Sequence, residues 1–145
     1  MSNVFCNCSY VGGLTYAFCI DGQLGNPSFV LLSKNSRIVE RKMVLGIANR
    51  YSCEVTLAEW QPATSTFKLR YFTSSGEIDF CGHGTLAAAA WLSKFHSIGA
   101  PMEFSVLGGS VIVDRFGQNE WGYRQATFSL IELFCKYPIF NTPHT

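Results

Sequence analysis

The stretch at residues 76–91, GEIDFCGHGTLAAAAW, determines how the rest of the chain is interpreted. A short strand-like run ends at Cys81. The alanines that follow His83 in the sequence predict a helix from about Thr85. The glycines on both sides of His83 allow a tight turn and a close approach of the backbone to a bound group. The first amides of a helix lack intrahelical partners and, with the helix dipole, attract a carboxylate or phosphate. The pattern is typical either of an anion-binding turn beside a thiol and an imidazole, or of an ordinary strand-to-helix turn.

Composition limits the kinds of protein that this chain can be. Its 145 residues fit one compact domain, and 48% of them are hydrophobic, so a sizeable core is expected. Charged residues make up only 14%, whereas about a quarter is usual, which indicates that another domain or subunit covers part of the surface. The net charge is +1 and no basic run is interleaved with aromatics, so we predict no nucleic-acid partner.

Targeting signals and metal motifs give negative predictions. No apolar run approaches the roughly 20 residues that a membrane span requires, so we predict no membrane partner. The first residues show no basic region followed by an apolar signal core, which predicts a cytoplasmic protein. The six cysteines have no zinc-ribbon or CxxC spacing, and structural zinc needs four ligands. We therefore expect no metal and mostly free thiols in a reducing compartment.

Apolar periodicity predicts the order strands, helix, strands, helix, strands. Strands are predicted at 14–20, 28–32, 54–60, 67–73, 102–106, 110–114 and 122–130, and helices at 36–51 and 85–95. Ser36 is the expected cap of the first helix, and Gly99 with Pro101 should stop the second. Residues 1–13 are predicted to be a loose leader. This order favours an α+β domain with a curved mixed β-sheet wrapped around the second, central helix.

Four segments, in order, resemble the phenazine-biosynthesis PhzF-like family. AFCIDGQLGNPSFVLL (17–32) resembles its opening strand, Gly-Asn-Pro loop and second strand. ANRYSCEVTLAEW (48–60) resembles the segment in which a Ser-Glu pair follows the first helix. LRYFTSSGEIDFCGHGTLAAAAWL (69–92) resembles its stretch Arg-x-Phe-Thr-x-x-x-Glu followed by Gly-His and a helix. MEFSVLGGSVIVDR (102–115) resembles the next hairpin, and the whole resemblance covers residues 14–123.

The resemblance implies a diaminopimelate-epimerase-like fold, in which two similar domains enclose the active site. Such enzymes move protons on a carbon next to a carboxyl or carbonyl group, without a cofactor. The position that matches the family's acid/base glutamate is Glu54, and Gly82 and His83 match its Gly-His pair. In the related racemases a cysteine before that pair carries the proton, and Cys81 occupies that place. A small carboxylate substrate and no cofactor are therefore expected.

The chain departs from the family pattern in three places. Cys53 stands where the family usually has serine, and Ser74 stands where a proline often follows the Phe-Thr pair. The sequence given covers only about one of the two domains, so a second domain or a homodimer is expected to complete the cleft. The resemblance fades after Gln125. We therefore divide the chain into a PhzF-like N-terminal domain at 1–125 and a divergent apolar tail at 126–145, truncated or poorly ordered.

Three side chains are candidates for the chemistry. Glu54 opens a predicted strand, where it is either a general base facing a cleft or an ordinary exposed glutamate. Cys81 precedes a helix start, which lowers the pKa of a thiol, so it is either a thiolate base or a small buried residue. His83 either orients or protonates the substrate, or bonds to the backbone at the helix start.

The turn around these side chains supplies candidate binding groups. Gly82, Gly84 and Thr85 can offer amides and a hydroxyl to a substrate carboxylate, or can serve only as turn and cap. Arg70 lies in an alternating strand and is expected to pair with Glu77.

The sequence thus predicts a cofactor-independent isomerase or epimerase of the PhzF-like kind, represented by its N-terminal domain. Two alternatives stay open. One is an amino- or imino-acid racemase that uses Cys81. The other is a truncated, catalytically inactive domain that dimerises, which the low charge and the apolar tail favour.

Overall fold

A mixed β-sheet and two helices make up the described part of the chain. The computed structural model describes residues 5–7, 10–18, 25–33, 40–117, 120–125, 133–136 and 139–141. The strands are β1 (Phe5–Asn7), β2 (Tyr10–Ala17), β3 (Asn26–Ser33), β4 (Glu54–Gln61), β5 (Thr66–Thr73), β6 (Gly76–Ile78), β7 (Met102–Val106), β8 (Gly109–Gly117), β9 (Glu120–Gln125), β10 (Leu133–Lys136) and β11 (Ile139–Asn141). The helices are α1 (Arg41–Tyr51) and α2 (Gly82–His96).

The strand order follows the chain with two crossovers. Neighbours run in the order β1-β2-β3-β4-β5-β7-β8-β9-β10, while β11 pairs with β2 and β6 pairs with β5. The pairs β3–β4 and β5–β7 are parallel. Parallel neighbours need a crossover connection, and α1 and α2 lie in these two connections. The carboxyl end of α1 is therefore close to the start of β4, and the amino end of α2 closely follows β6.

The two faces of the sheet bury different helices. In β3, Val30 and Leu32 belong to the core around α2, whereas Phe29 and Leu31 belong to the core around α1. This alternation follows from the two-residue period of a strand. Because both faces are covered, β3 reads as a continuous apolar run in the sequence.

Helix α2 lies in the middle of the larger core. An unbroken run from Gly84 to Leu92 is buried, and the helix contacts β2, β3, β4, β8, β9 and β10. A helix that is buried on all sides belongs to a core, and its alanines keep the surrounding strands close. The predicted α+β architecture, a mixed sheet around a central helix, is confirmed.

The predicted start of the first long strand was wrong because glycines were taken as loop residues. Strand β2 begins at Tyr10, and β1 lies within the predicted leader. A Cβ atom on Gly12 would lie 2.6 Å from Phe29 Cε1 and 2.6 Å from the Val30 carbonyl oxygen. Gly12 is therefore a site of close packing inside the sheet. The strand ends at Ala17, and residues 19–20 of the prediction lie outside the described residues.

Other boundaries differ at the helix ends. Helix α2 begins three residues before the predicted start and ends at His96, where Ser97 takes the left-handed conformation and the Ile98 amide bonds to the Leu92 carbonyl. The helix thus stops before the predicted glycine and proline signals are reached. Helix α1 is described from Arg41, and the predicted cap Ser36 lies outside the described residues.

The last strands extend the sheet at both ends. Strand β9 begins at Glu120, two residues before the predicted start, and residues 126–130 of that prediction are outside the described residues. Strands β10 and β11 lie in the segment that the sequence left unassigned, and they pair with β9 and β2. The domain boundary at Gln125 stays a prediction.

Candidate active site

The start of β4 and the start of α2 bring the three predicted chemical side chains together. His83 Nε2 lies 3.3 Å from Glu54 Oε2, and Cys81 Sγ lies 3.4 Å from His83 Nδ1. The Glu54 side chain is 34% exposed and that of His83 is 17% exposed, while Cys81 is buried. Cys81 Sγ also lies 3.7 Å from His83 Nε2, so the imidazole packs against the buried thiol and contacts a carboxylate that solvent or a ligand can reach.

The end of α1 determines where Glu54 begins its strand. Ser52 takes a left-handed conformation with φ of 50°, and the amides of Ser52 and Cys53 bond back to carbonyls in the last turn of α1. This cap turns the chain directly into β4. The buried hydroxyl of Ser28 donates to the Glu54 carbonyl at 3.4 Å and also contacts the Thr56 hydroxyl at 3.1 Å. The Glu54 backbone is thus fixed from both sides, while its carboxylate stays accessible.

Cys81 caps α2 with its sulfur. The Gly84 amide donates to Sγ at 3.4 Å, so the thiol takes the place that a serine or aspartate oxygen usually has. Burial raises the pKa of Cys81 to about 11; the Gly84 amide lowers it in part, and the nearby Glu54 carboxylate raises it further. The lowering expected from the helix start is therefore outweighed by burial.

Two of the predicted binding residues are engaged inside the fold. The Thr85 hydroxyl donates to the Cys81 carbonyl at 2.9 Å and contacts the Tyr71 hydroxyl at 2.6 Å, and the Thr85 amide bonds to the same carbonyl. The Gly84 amide is held by the thiol. Gly82, the first residue of α2, is partly exposed next to His83. The geometry thus leaves the Gly82 end of the turn, rather than Thr85, facing the surroundings.

Gly84 is also the point where α2 approaches the sheet most closely. A Cβ atom at this position would lie 2.3 Å from the Thr56 hydroxyl oxygen and 3.2 Å from Cys81 Sγ. No side chain fits into that space without displacing a buried group. Glycine at this position therefore allows the helix start to lie directly against β4, next to Glu54.

A surface cavity adjoins Glu54, and sequence reasoning did not identify its lining. It has a volume of about 310 Å³ and is lined by Ala48, Asn49, Ser52, Cys53, Glu54, Thr73 and Ser74. Asn49 and Ser52 come from the end of α1, and Thr73 and Ser74 from the end of β5. Burial raises the pKa of the Cys53 thiol to about 11. The sequence signal for this lining is the polar side chains in ANRYSCE (48–54) and FTSS (72–75), which follow apolar runs.

The predicted pair of Arg70 and Glu77 is confirmed, and it lies outside the cluster. Arg70 Nε and Nη2 donate to the two carboxylate oxygens of Glu77 at 2.9 and 2.8 Å. The hydrogen bonds from Arg70 are the main reason that the pKa of Glu77 is lowered. Glu59 lies 3.9 Å from the same guanidinium. This pair therefore joins β5 to β6 on the surface.

The described residues form neither a metal-binding cluster nor a membrane-spanning helix. No group of three or more histidine, cysteine, aspartate or glutamate side chains in these ranges has a geometry that could hold a metal ion. Neither helix in the same ranges is long and apolar enough to cross a membrane.

Comparisons with known proteins agree with these motifs and with this fold. A family model described as "phenazine biosynthesis-like protein" matches residues 16–144. An uncharacterized isomerase of Halalkalibacterium halodurans is 30% identical over 105 residues, which are 72% of this chain and 38% of that protein. The human phenazine biosynthesis-like domain-containing protein is 32% identical over 103 residues, 66% of this chain and 35% of that protein. A PhzF-family protein structure from Enterococcus faecalis superposes with a TM-score of 0.67 at 26% identity, covering 79% of this chain and 43% of that chain.

The chain corresponds to only part of each relative. The chain spans well under half the length of the two relatives, 38% and 35%. The family match continues beyond Gln125, where the motifs quoted from the sequence end. The fold is that of the PhzF-like, diaminopimelate-epimerase-like structures. Because the family match covers most of the chain and its motifs surround the Glu54–His83–Cys81 cluster, the chain belongs to the phenazine biosynthesis-like, or PhzF-like, family.

Proposed function

We propose that this chain is the N-terminal half of a cofactor-independent isomerase or epimerase in which Glu54 moves the proton. The observation that carries the proposal is the contact of 3.3 Å between Glu54 and His83 at the start of the central helix. A general base must be accessible to the proton that it takes. Glu54 meets this condition, because its side chain is one-third exposed and lies at the edge of a cavity.

The chemistry is a proton transfer next to an electron-withdrawing group. The Glu54 carboxylate removes a proton from a substrate carbon, and the electron pair delocalises into a neighbouring carboxyl or conjugated system. The protonated Glu54 then returns the proton to another carbon of the substrate, which isomerises it; epimerisation would need a second acid, supplied by the other half of the cleft, to protonate the opposite face. His83 donates a hydrogen bond to Glu54 Oε2, and the positive end of α2 with the Gly82 amide stabilises the negative charge that develops on the substrate.

The substrate in this proposal is a small carboxylic acid with further polar groups. Its carboxylate binds at the Gly82 end of the helix start, where the dipole favours an anion. The neutral side chains of Asn49, Ser52 and Thr73 line the adjoining cavity and offer hydrogen-bond donors and acceptors to the remainder of the molecule. No nucleic acid or lipid is required as a partner for this reaction.

One domain provides only half of a closed site. Carbon acids are deprotonated more easily when water is excluded, and Glu54 is open on one side. We propose that a second domain, such as the remainder of the two relatives could supply, or a second copy of the chain closes the cleft. The chain alone is therefore expected to be a slow catalyst or an inactive one.

The test is the incorporation of solvent deuterium into a panel of small carboxylic acids by the chain supplied with the second half of one of the relatives. We expect exchange to depend on Glu54 and to be lost in Glu54→Gln, because glutamine cannot accept the proton. Glu59→Gln is the matched control, since Glu59 lies on the same strand but pairs with Arg70. The cysteine-racemase alternative instead predicts that Cys81→Ser abolishes exchange; the raised pKa of Cys81 argues against it. Exchange that persists in Glu54→Gln would refute the assignment of the base.

A further inference from the structure

Strands β10 and β11 connect the two ends of the sheet. β10 pairs with β9, where Lys136 lies opposite Glu120, and β11 pairs with β2, where Ile139 lies opposite Tyr16. Lys136 and Ile139 are so close in the sequence that their Cα atoms can be at most about 11 Å apart. The covalent chain therefore brings β9 and β2, which lie near opposite ends of the strand order, to the same side of the molecule.

Helix α2 lies inside the ring that this connection makes. The helix contacts β2 and β3 near one end of the strand order and β8, β9 and β10 near the other. Ala17 of β2 and Trp121 and Tyr123 of β9 belong to the same core as the helix. The sheet thus curves around α2 until β10 and β11, which we name the closing strands, join its two ends.

Strand β11 also lies in one row of the sheet with the candidate base. Phe140 of β11 is the direct partner of Thr15 in β2, and Thr15 is the direct partner of Ser28 in β3. Ser28 is in turn the partner of Glu54, the first residue of β4. Only β2 and β3 therefore separate the closing strands from the carboxylate that is proposed to move the proton.

The inner part of this row is buried. Thr15 and Ser28 are both fully buried, and the Ser28 hydroxyl donates to the Glu54 carbonyl at 3.4 Å. The Thr15 hydroxyl, in contrast, has no hydrogen-bond partner among the residues that the structure describes. Thr15 is therefore held in the row by packing and by the pairing of its strand with β3 on one side and β11 on the other.

We propose that the closing strands act as a strap: they fasten the sheet around α2 and, through β2 and β3, hold Glu54 in position at the start of β4. Undocking of β11 frees the edge of β2 at residues 14–16 and loosens the row that carries the base. Such a free edge offers its N–H and C=O groups to another strand, including one from a second copy of the chain. This inference goes beyond the proposed reaction and does not depend on it.

An engineered disulfide tests the register of β11. Direct partners in antiparallel strands have Cα atoms about 4.5–5.5 Å apart, which a disulfide can bridge. We expect Thr15→Cys with Phe140→Cys to form a bridge within one chain, which peptide mass spectrometry distinguishes from pairs with the native cysteines. Thr15→Cys with Asn141→Cys is the matched control and should not bridge, because Asn141 is one residue out of register with Thr15.

Proline substitutions test what the closing strands hold. Adjacent residues of a strand direct their amides to opposite sides, so Phe140→Pro with Asn141→Pro removes the amide that one of them directs at β2. Phe140→Ala with Asn141→Ala is the matched control, since it loses the same side chains but keeps both amides. We expect faster hydrogen exchange in β2, in β3 and at the start of β4 in the proline variant, and a smaller change in the alanine variant. Strands β7 and β8 pair with neither closing strand and serve as the internal reference.

Three results would overturn the proposal. If Thr15→Cys with Phe140→Cys does not bridge, or bridges no better than the control, β11 is not docked on β2 in this register. If the bridge forms only between two chains, the closing strands complete a neighbouring copy instead of their own sheet. If hydrogen exchange in β2 and β3 is the same in the proline variant as in the wild type, the closing strands do not hold these strands.

A second comparison applies if the proline variant does not fold. The bridged protein is then compared with its own reduced form in urea, and the bridge should raise the midpoint of unfolding, because it closes a long loop between strands that are already docked. An unchanged or lower midpoint would contradict docking at this position. None of these measurements uses a substrate, so a failure of the proposed reaction leaves their outcome unaffected.

Discussion

Replacing Gly84 with alanine tests how closely the start of α2 lies against β4. The new methyl group would be placed 2.3 Å from the Thr56 hydroxyl oxygen, which is fully buried and bonded to Ser28. Such overpacking costs about 1–3 kcal/mol. Alanine gains about 1 kcal/mol over glycine in a helix interior, and less in the first turn. We therefore expect Gly84→Ala to lower the free energy of unfolding by about 0.5–2.5 kcal/mol overall.

A second substitution identifies the cause. Thr56→Ala removes the clashing oxygen and costs about 1 kcal/mol for its hydrogen bond, while Ser28 keeps the Glu54 carbonyl as a partner. In that background the next nearest atom to the new methyl group is Cys81 Sγ at 3.2 Å, so Gly84→Ala should become nearly neutral. The two changes should therefore be non-additive by about 1–2 kcal/mol, well beyond the roughly 0.5 kcal/mol of independent sites.

The assay is equilibrium unfolding in urea, followed by circular dichroism, with the slope m compared between variants. Gly46→Ala is the matched control, because Gly46 lies exposed in α1 and a Cβ atom there would meet nothing within 4 Å. It should stabilise the protein by about 0.5–1 kcal/mol. A Gly84→Ala protein as stable as the wild type, or one whose loss of stability is unchanged by Thr56→Ala, would refute the close approach.

Three further predictions concern side chains around the site and on the surface. Tyr71→Phe removes a buried phenol that bonds to α2, and it should cost about 1 kcal/mol in the same unfolding assay. Glu77→Gln should destabilise the protein by at most about 1 kcal/mol at pH 7, since the pair is partly exposed. Because Arg70 lowers the pKa of Glu77 in the folded state, this difference should vanish as the pH falls through that lowered pKa. A difference that grows in acid would contradict it. Alkylation of Cys53 and Cys81 at pH 7 should be slow in the folded protein. A thiol pKa of about 11 leaves about a hundredfold less thiolate than the ordinary value of 9.0. Rapid, selective labelling of Cys81 would contradict its burial.

The central architecture could be predicted because it depends on long apolar patterns. The alanine-rich run after His83 identified the buried helix, and the alternation in 67–73 identified a strand. The start of β2 could not be predicted, because Gly12 packs against Phe29 from a neighbouring strand, a contact that lies outside any local pattern. The helix start at Gly82 was missed for a similar reason, since a thiol rather than a hydroxyl or carboxylate caps it.

The sequence predicted which residues form the candidate site but not which of them are in contact. The sequence pointed to Glu54, Cys81 and His83, yet only the fold shows that residues separated along the chain lie within hydrogen-bonding distance. The raised pKa of Cys81 depends on burial by distant elements, whereas the sequence showed only the helix start beside it. The cavity lined by Asn49 and Thr73 likewise forms between the end of α1 and the end of β5.

The most direct measurement of the central claim is solvent-deuterium incorporation into small carboxylic acids, followed by mass spectrometry. It is made with the chain at high concentration, alone and supplied with the second half of the Halalkalibacterium halodurans relative. We predict slow or no exchange by the chain alone and faster exchange in the completed pair. That exchange should be lost in Glu54→Gln, retained in Glu59→Gln and largely retained in Cys81→Ser. Exchange that survives in Glu54→Gln, or no exchange in either preparation, would contradict the account.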